Sequence, residues 1–147
     1  MTTNPPHVRF RKMRERLGLS AEEVAARCNL QPIDIWEIEG LEGDLEMSST
    51  PKQVQKFCQV LGIRPIDLFG DDISETPISA DDLVQLIHAE CHLRGVTLEQ
   101  FEDVIEWWSL NSIIDPPEKL LESMRIDNLQ RLCQELRIDW RRVLLCL

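Results

Sequence analysis

The feature that most constrains this chain is a segment that occurs twice. Val54-Gln55-Lys56-Phe57-Cys58-Gln59-Val60-Leu61-Gly62-Ile63 is matched by Leu129-Gln130-Arg131-Leu132-Cys133-Gln134-Glu135-Leu136-Arg137-Ile138 at a constant offset of 75 (133 − 58). Apolar, basic and cysteine positions correspond except at Val60, matched by Glu135, and Gly62, matched by Arg137. Further upstream, Leu17-Gly18-Leu19-Ser20-x-Glu22 is matched by Arg94-Gly95-Val96-Thr97-x-Glu99 at an offset of 77 (95 − 18). Two matched blocks with one small length change are the signature of an internal duplication. A chain of 147 residues built this way holds two small domains rather than one large one.

Each copy reads as helical. Tyrosine is absent, glycine is scarce at 6 residues, and alternating β-branched runs are few. Ser20 with Glu23, Thr50 with Gln53 and Thr97 with Gln100 form capping boxes, where side chain and backbone satisfy each other's first-turn donors. Pro51 follows one such cap at the first helical position, where a missing N–H costs little. These signals place helices over about 7–16, 21–27, 32–39, 51–61 and 65–69. Gly18, Gly40, Gly62 and Gly70 act as stops. An acidic linker with Pro77 covers about 71–78, and Ser79 opens the next helix. The second copy keeps the outer helices of this pattern. Its middle, with Trp107-Trp108-Ser109-Leu110 and then Pro116-Pro117, has drifted.

Two short helices joined by a tight turn, with one helix before and two after, form the helix-turn-helix plan. The ordered string Arg14-x-x-Leu17-Gly18-Leu19-Ser20-x-Glu22-Glu23-Val24-Ala25, then Leu30, Ile35, Ile38-Glu39, Thr50-Pro51 and Val54 to Ile63, resembles the phage-repressor (Cro/C1, Xre) helix-turn-helix family. The resemblance implies an all-α chain of two tandem five-helix repressor-like domains, at 7–70 and, as a degenerate copy, 79–147. It implies burial of Leu17, Val24, Ala25, Cys28, Leu30, Ile35, Ile38, Val54, Phe57, Leu61, Ile63 and Leu68. It also implies a structural ion pair between Arg14 and Glu39. Cys91 stands at the position matching Arg14, so the second copy is expected to lack that pair.

The family's function is DNA-binding transcription regulation, with the third helix in the major groove and the start of the second adding a polar contact. The DNA-binding candidates are Gln31, Asp34, Trp36 and Glu37 on the third helix, and Arg9, Arg11 and Lys12 on the first. The charge pattern pulls the other way. Residues 1–19 are net +4, but residues 20–50 carry eight acids against Arg27 alone, net −7. Ala21, Pro32, Ile33 and Trp36 occupy places where base-reading groups are expected. Asp34, Glu37, Glu42, Asp44 and Glu46 would face phosphates, which costs binding. The alternative is therefore a protein–protein interaction module, an adaptor or anti-repressor, that keeps the fold and uses the acidic third helix. Trp36 either packs on the loop that follows it or anchors such an interface.

The remaining chemistry is sparse. His88, Cys91 and His92 share a helical face but have no evident fourth ligand, so no metal is expected. Trp107-Trp108 reads as core and inter-domain packing, since no basic residue lies close by to make a base-stacking platform. No nucleophile elbow or phosphate loop occurs, and the chain is expected to be no enzyme and to need no cofactor. Net charge is −10, which disfavours non-specific coating of nucleic acid. No apolar run is long enough to span a bilayer, and no secretory signal opens the chain. Five cysteines without paired spacing fit a reduced, cytoplasmic setting.

Overall fold

The computed structural model describes residues 4–107 and 110–147; Trp108 and Ser109 lie outside the described residues. Every regular element among the described residues is helical. The helices are α1 (Pro6–Arg16), α2 (Ala21–Arg27), α3 (Pro32–Gly40), α4 (Asp44–Ser48), α5 (Pro51–Leu61) and α6 (Pro65–Phe69). They are followed by α7 (Ala80–Arg94), α8 (Leu98–Ile105), α9 (Leu110–Ile113), α10 (Glu118–Ser123), α11 (Ile126–Glu135) and α12 (Arg141–Leu144). No helix is long and apolar enough to cross a membrane.

Local chemistry sets most boundaries. Ser20, Thr50, Ser79 and Thr97 each accept a hydrogen bond from the backbone N–H three residues on. The glutamate, glutamine or aspartate at that third position accepts from the cap's own N–H in return. Gly62 and Gly95 close α5 and α7 in the left-handed region, at φ 69° and 66°. α4 and α10 were not legible in the sequence. Each is about one turn, α4 without a side-chain cap and each ending in a buried residue, Ser49 and Met124. They fall in the stretches that read as loops.

Backbone hydrogen bonds recur along the chain at fixed offsets. Leu19 N–H to Arg14 O (3.1 Å) is matched by Val96 N–H to Cys91 O (3.0 Å), both at offset 77. Leu30 N–H to Ala25 O (2.8 Å) is matched by Trp107 N–H to Glu102 O (3.1 Å), again at 77. Asn29 and Glu106, also 77 apart, are both left-handed, at φ 57° and 53°. From α4 onward the offset is 75. Ser49 N–H to Leu45 O recurs as Met124 N–H to Leu120 O, and Ile63 N–H to Cys58 O as Ile138 N–H to Cys133 O. Four residues separate Leu30 from Ile35 and two separate Trp107 from Leu110, so the two-residue change falls at the entry to the third helix.

Two apolar cores result. The first gathers Phe10, Val24, Ile35, Ile38, Leu45, Val54, Phe57, Leu61 and Leu68, with Phe10 edge-on to Phe57 at 5.4 Å. The second gathers Ile87, Phe101, Ile105, Leu110, Leu120, Leu129, Leu132 and Val143. Leu17, expected in the core, is 50% exposed, while Phe10, about two turns of α1 earlier, supplies the buried contact. Leu17 sits at the C-cap of α1 just before the left-handed Gly18, and the chain turns there with its side chain outward. Cys28, Leu30 and Ile63 are only half-buried.

The two cores meet. Ile126 of α11 is buried in the first core, and Trp140 packs against both. Phe69 and Trp140 make an edge-to-face pair at 5.0 Å. The contacting helices are reciprocal: α4 packs on α11, α10 on α5, and α6 on α12. One bond across this seam runs from Ile126 N–H to Ser49 O (2.8 Å). Exchanging equivalent positions would require Pro51 to donate to Met124 O. Proline has no N–H, so the seam has one such bond and not two.

Candidate functional site

α2 and α3 are joined by a four-residue turn of fixed shape, Cys28 to Gln31. The Ser20–Glu23 box starts α2, the left-handed Asn29 reverses the chain, and Leu30 N–H closes onto Ala25 O. Gln31 then caps α3. Its N–H donates to Asp34 Oδ2 at 2.9 Å, so the Asp34 carboxylate is held at the helix start and half-buried. Asp34 thus serves the first turn rather than standing out as a contact group, and Glu37 is the acid left on the outer face. Ala21, at the start of α2, is buried.

The inner face of α3 carries Ile35, Ile38 and Glu39. Glu39 meets Arg14 of α1 in a two-pronged ion pair, Nε to Oε2 at 2.7 Å and Nη2 to Oε1 at 2.8 Å. Arg14 Nη1 also donates to Leu19 O at 2.8 Å. One guanidinium therefore ties α1, the α1–α2 turn and α3 together, and its pKa is raised by the bond to Glu39. Ile114 takes the place equivalent to Glu39 (39 + 75) and Cys91 that of Arg14. The second half instead buries Glu90, which accepts from Arg94 Nε at 2.9 Å and Arg137 Nη2 at 3.3 Å. Arg94 also lies 5.4 Å above the Phe101 ring. The equivalent of the Arg14–Glu39 pair is thus missing, and the carboxylate buried in its stead is met by arginines that stay exposed.

The outer face of α3 carries two exposed apolar side chains beside Glu37. Ile33 is 52% exposed and Trp36 53%, so Trp36 is a surface group and not part of the core. Glu37 and Gly40 follow at helical spacing, and Leu41, just past the helix, is also exposed. Met47 of α4 adds a further exposed apolar side chain. Glu37 shares this side of the helix, Glu42, Asp44 and Glu46 follow in sequence, and no lysine or arginine occurs between Arg27 and Lys52. Glu46 is half-buried, and burial pushes its carboxyl above the usual range. Leu41 and Met47 are not base-reading residue types, so the family resemblance does not point to them. The i, i+3, i+7, i+8 spacing of Ile33, Trp36, Gly40 and Leu41 was the available signal.

The basic residues of α1 divide. Arg9 is half-buried and already engaged: its Nη1 donates to Asp67 O at 2.8 Å and Gly70 O at 3.1 Å, where the C-terminal carbonyls of α6 favour a cation. Its Nε donates to Asn4 O. Arg11 is exposed and 4.0 Å from Glu15, and Lys12 and Arg16 are exposed. Gln31 is exposed at the entry to α3.

At the offset of 75, Ile35 and Ile38 of α3 correspond to Leu110 and Ile113 of the four-residue α9, both buried. Asn111 N–H is held by Glu102 Oε1 at 3.0 Å. Trp107 packs on the second core, and Trp108 lies outside the described residues. His88 and His92 are exposed but Cys91 is buried between them, and the described residues contain no cluster of three or more metal-ligating side chains. Burial pushes the Cys58 and Cys133 thiols up to about 12. Comparisons with protein-family models, with curated proteins and with solved structures each found no match to this chain.

Proposed function

We propose that residues 7–70 and 79–147 are two copies of a repressor-like helix-turn-helix unit, packed about a pseudo-two-fold axis. In this reading the third helix of the first copy receives a protein, not DNA. The duplication is supported by the repeated backbone bonds and by the reciprocal contacts α4·α11, α10·α5 and α6·α12, each of which maps onto another or itself when the halves are exchanged.

The observation that carries the function is the outer face of α3. A base-reading helix needs donors and acceptors aimed at base edges. This face offers Ile33 and Trp36, with the exposed Leu41 just past the helix, and the segment around it carries acids and no base between Arg27 and Lys52. Approach to phosphate would bring carboxylates against like charge, with no lysine or arginine on the helix to release counterions. A fitting occupant is a basic amphipathic helix of a partner protein. Its apolar stripe covers Ile33, Trp36 and Leu41, and its lysines or arginines meet Glu37 and Glu42. Trp36 is the anchor, since exposed aromatics carry a large share of interface energy. The second copy then acts as a scaffold, because α9 is too short to present such a face.

Duplex DNA remains the competing occupant, as the family resemblance implies. Arg11, Lys12 and Arg16 on α1 and Gln31 at the α3 entry are the exposed groups that favour it. Fluorescence anisotropy separates the two. A labelled Leu/Lys amphipathic helix should bind the wild type and lose at least roughly tenfold in affinity with Trp36→Ala. A peptide of the same composition with the amphipathic order scrambled should bind no better to the wild type than to that variant. Tight, sequence-selective binding of a duplex by the wild type at physiological salt would overturn the protein-binding reading.

A further inference from the structure

Exchanging the two halves does not preserve one cavity at the seam between them. It has a volume of about 450 Å³ and is lined by His7 of α1, Glu42 and Glu46 around the start of α4, Phe69 of α6, and Gln130 and Trp140 of the second half. The exchange maps His7, Glu46, Phe69 and Trp140 onto Val84, Leu121, Leu144 and Pro65 (7 + 77, 46 + 75, 69 + 75, 140 − 75). That set is apolar, and Leu121, Leu144 and Pro65 are buried. The position that takes a buried leucine in the second half therefore takes a carboxylate in the first, on the wall of an open cavity.

This carboxylate opposes folding. Burial raises the Glu46 carboxyl's pKa, Glu42 and Asp127 add like charge, and His7 is the one basic side chain that bears on it. No ion pair reaches Glu42 or Glu46 among the described residues. Arg9, two residues beyond His7, is already committed to Asp67 O and Gly70 O. His7 Nδ1 is buried and has no hydrogen-bond partner among the described residues. A desolvated charge and an unsatisfied ring nitrogen thus belong to residues that line one cavity, and each costs stability. Natural sequences keep such costs mainly where function needs them.

We propose that this cavity binds a guanidinium group carried on a short apolar stem. The group is a flat cation with several N–H donors in a rigid fork. The Glu42 and Glu46 carboxylates and the Gln130 amide supply acceptors for that fork. Phe69 and Trp140 are half-buried and edge-to-face at 5.0 Å, and they line the same space. A guanidinium stacks on such rings as well as pairing with carboxylates, and Pro5 and Pro6 offer the stem an apolar wall. An ammonium is compact and strongly hydrated, and uses rings and fork less well. A metal ion fits poorly, since His7, Glu42 and Glu46 are not drawn into a ligating cluster. The volume falls within the range of small-ligand sites, about 300–1,000 Å³. The site is separate from the α3 face, because neither Trp36 nor Glu37 lines it.

Titration of the full chain with butylguanidinium at constant ionic strength, followed by the assigned Trp140 indole N–H signal in NMR, tests it. The signal should shift and saturate, with a dissociation constant of about 1 mM or tighter. Butylurea has the same shape without the charge and should bind at least roughly tenfold more weakly. Glu46→Gln should lose a similar factor while melting no lower than the wild type, so that the loss is not unfolding. Glu42→Gln should also weaken binding, and Glu37→Gln should leave it unchanged even if α3 binds nothing. N-acetylarginine amide should bind as well. If it binds more tightly than butylguanidinium, the natural ligand is an arginine of a protein; if less tightly, a free small molecule. Absence of a saturable Trp140 shift would overturn the proposal. So would equal binding of butylurea, or an affinity that Glu46→Gln does not change.

Discussion

Removing the Glu39 carboxylate should be the costliest single polar change in the first half. In Glu39→Ala, the Arg14 guanidinium loses two charge-assisted bonds, of 2.7 and 2.8 Å, and keeps the one to Leu19 O. The side chains are only 16% and 8% exposed, so water replaces the lost partner poorly. Breaking a buried pair in this way costs about 3 kcal/mol. For a chain of this size that is a fall in Tm of roughly 6–12 °C. The exposed pair Arg64–Asp72 is the internal control. Its side chains are 60% and 56% exposed, and Asp72→Ala should move Tm by about 2 °C at most. Joint replacement, Arg14→Met with Glu39→Leu, should recover much of the loss, because no buried charge is left unpaired. Thermal melts followed by circular dichroism, with urea titration alongside, read all four proteins. If Glu39→Ala melts within about 2 °C of the wild type, or no lower than Asp72→Ala, the pair does not carry the α1–α3 contact. The seam between the halves also matters to the result. Ile126 is buried in the first core and Trp140 packs on both, so one cooperative transition is expected, even in the variant.

Glu46→Gln should raise Tm at neutral pH: burial raises the carboxyl's folded pKa above 4.5, so its charge opposes folding above that pKa, and the variant's advantage should fade as pH falls through the folded value towards 4.5. Asp67 behaves oppositely, since the Arg64 guanidinium lowers its pKa below 3.8; its stabilisation is full above that value and lost as acid titrates the folded carboxylate, so Arg64→Ala should flatten the acid limb of a stability–pH curve. In the folded protein a thiol reagent should modify the exposed Cys146 first and the half-buried Cys28 more slowly; Cys58 and Cys133, pushed up to about 12, should react only on unfolding, and prompt labelling of either by mass spectrometry would contradict the two-core packing. Finally, Asp34→Asn with Glu37→Gln should gain little affinity for a mixed-sequence duplex, because Pro32, Ile33 and Trp36 still supply no base-reading groups; a large gain in anisotropy at low salt that fades with added salt would point to a DNA surface silenced by charge alone.

The sequence by itself determined the helices whose ends are local events. Ser20 with Glu23, Thr50 with Gln53 and Thr97 with Gln100 satisfy their own first-turn N–H groups within four residues, so no distant contact is needed to place them. The offset of 75 between Cys58 and Cys133 likewise survives as matched backbone bonds, because the same side-chain pattern calls for the same turn. Tertiary structure decided the rest. α4 and α10 form where the chain packs against the other half, and nothing local announces them. Leu17 turns outward and Phe10 inward because the left-handed Gly18 ends α1 one residue later. Arg9 and Arg16 look alike in sequence, yet the carbonyl end of α6 holds Arg9 and leaves Arg16 in solvent. Nothing local decides whether Trp36 packs or protrudes; the fold does, by putting Ile35 and Ile38 on the inside of α3. Periodicity says which residues share a face, but which neighbour covers that face depends on contacts distant in sequence, and these exist only once the chain has folded.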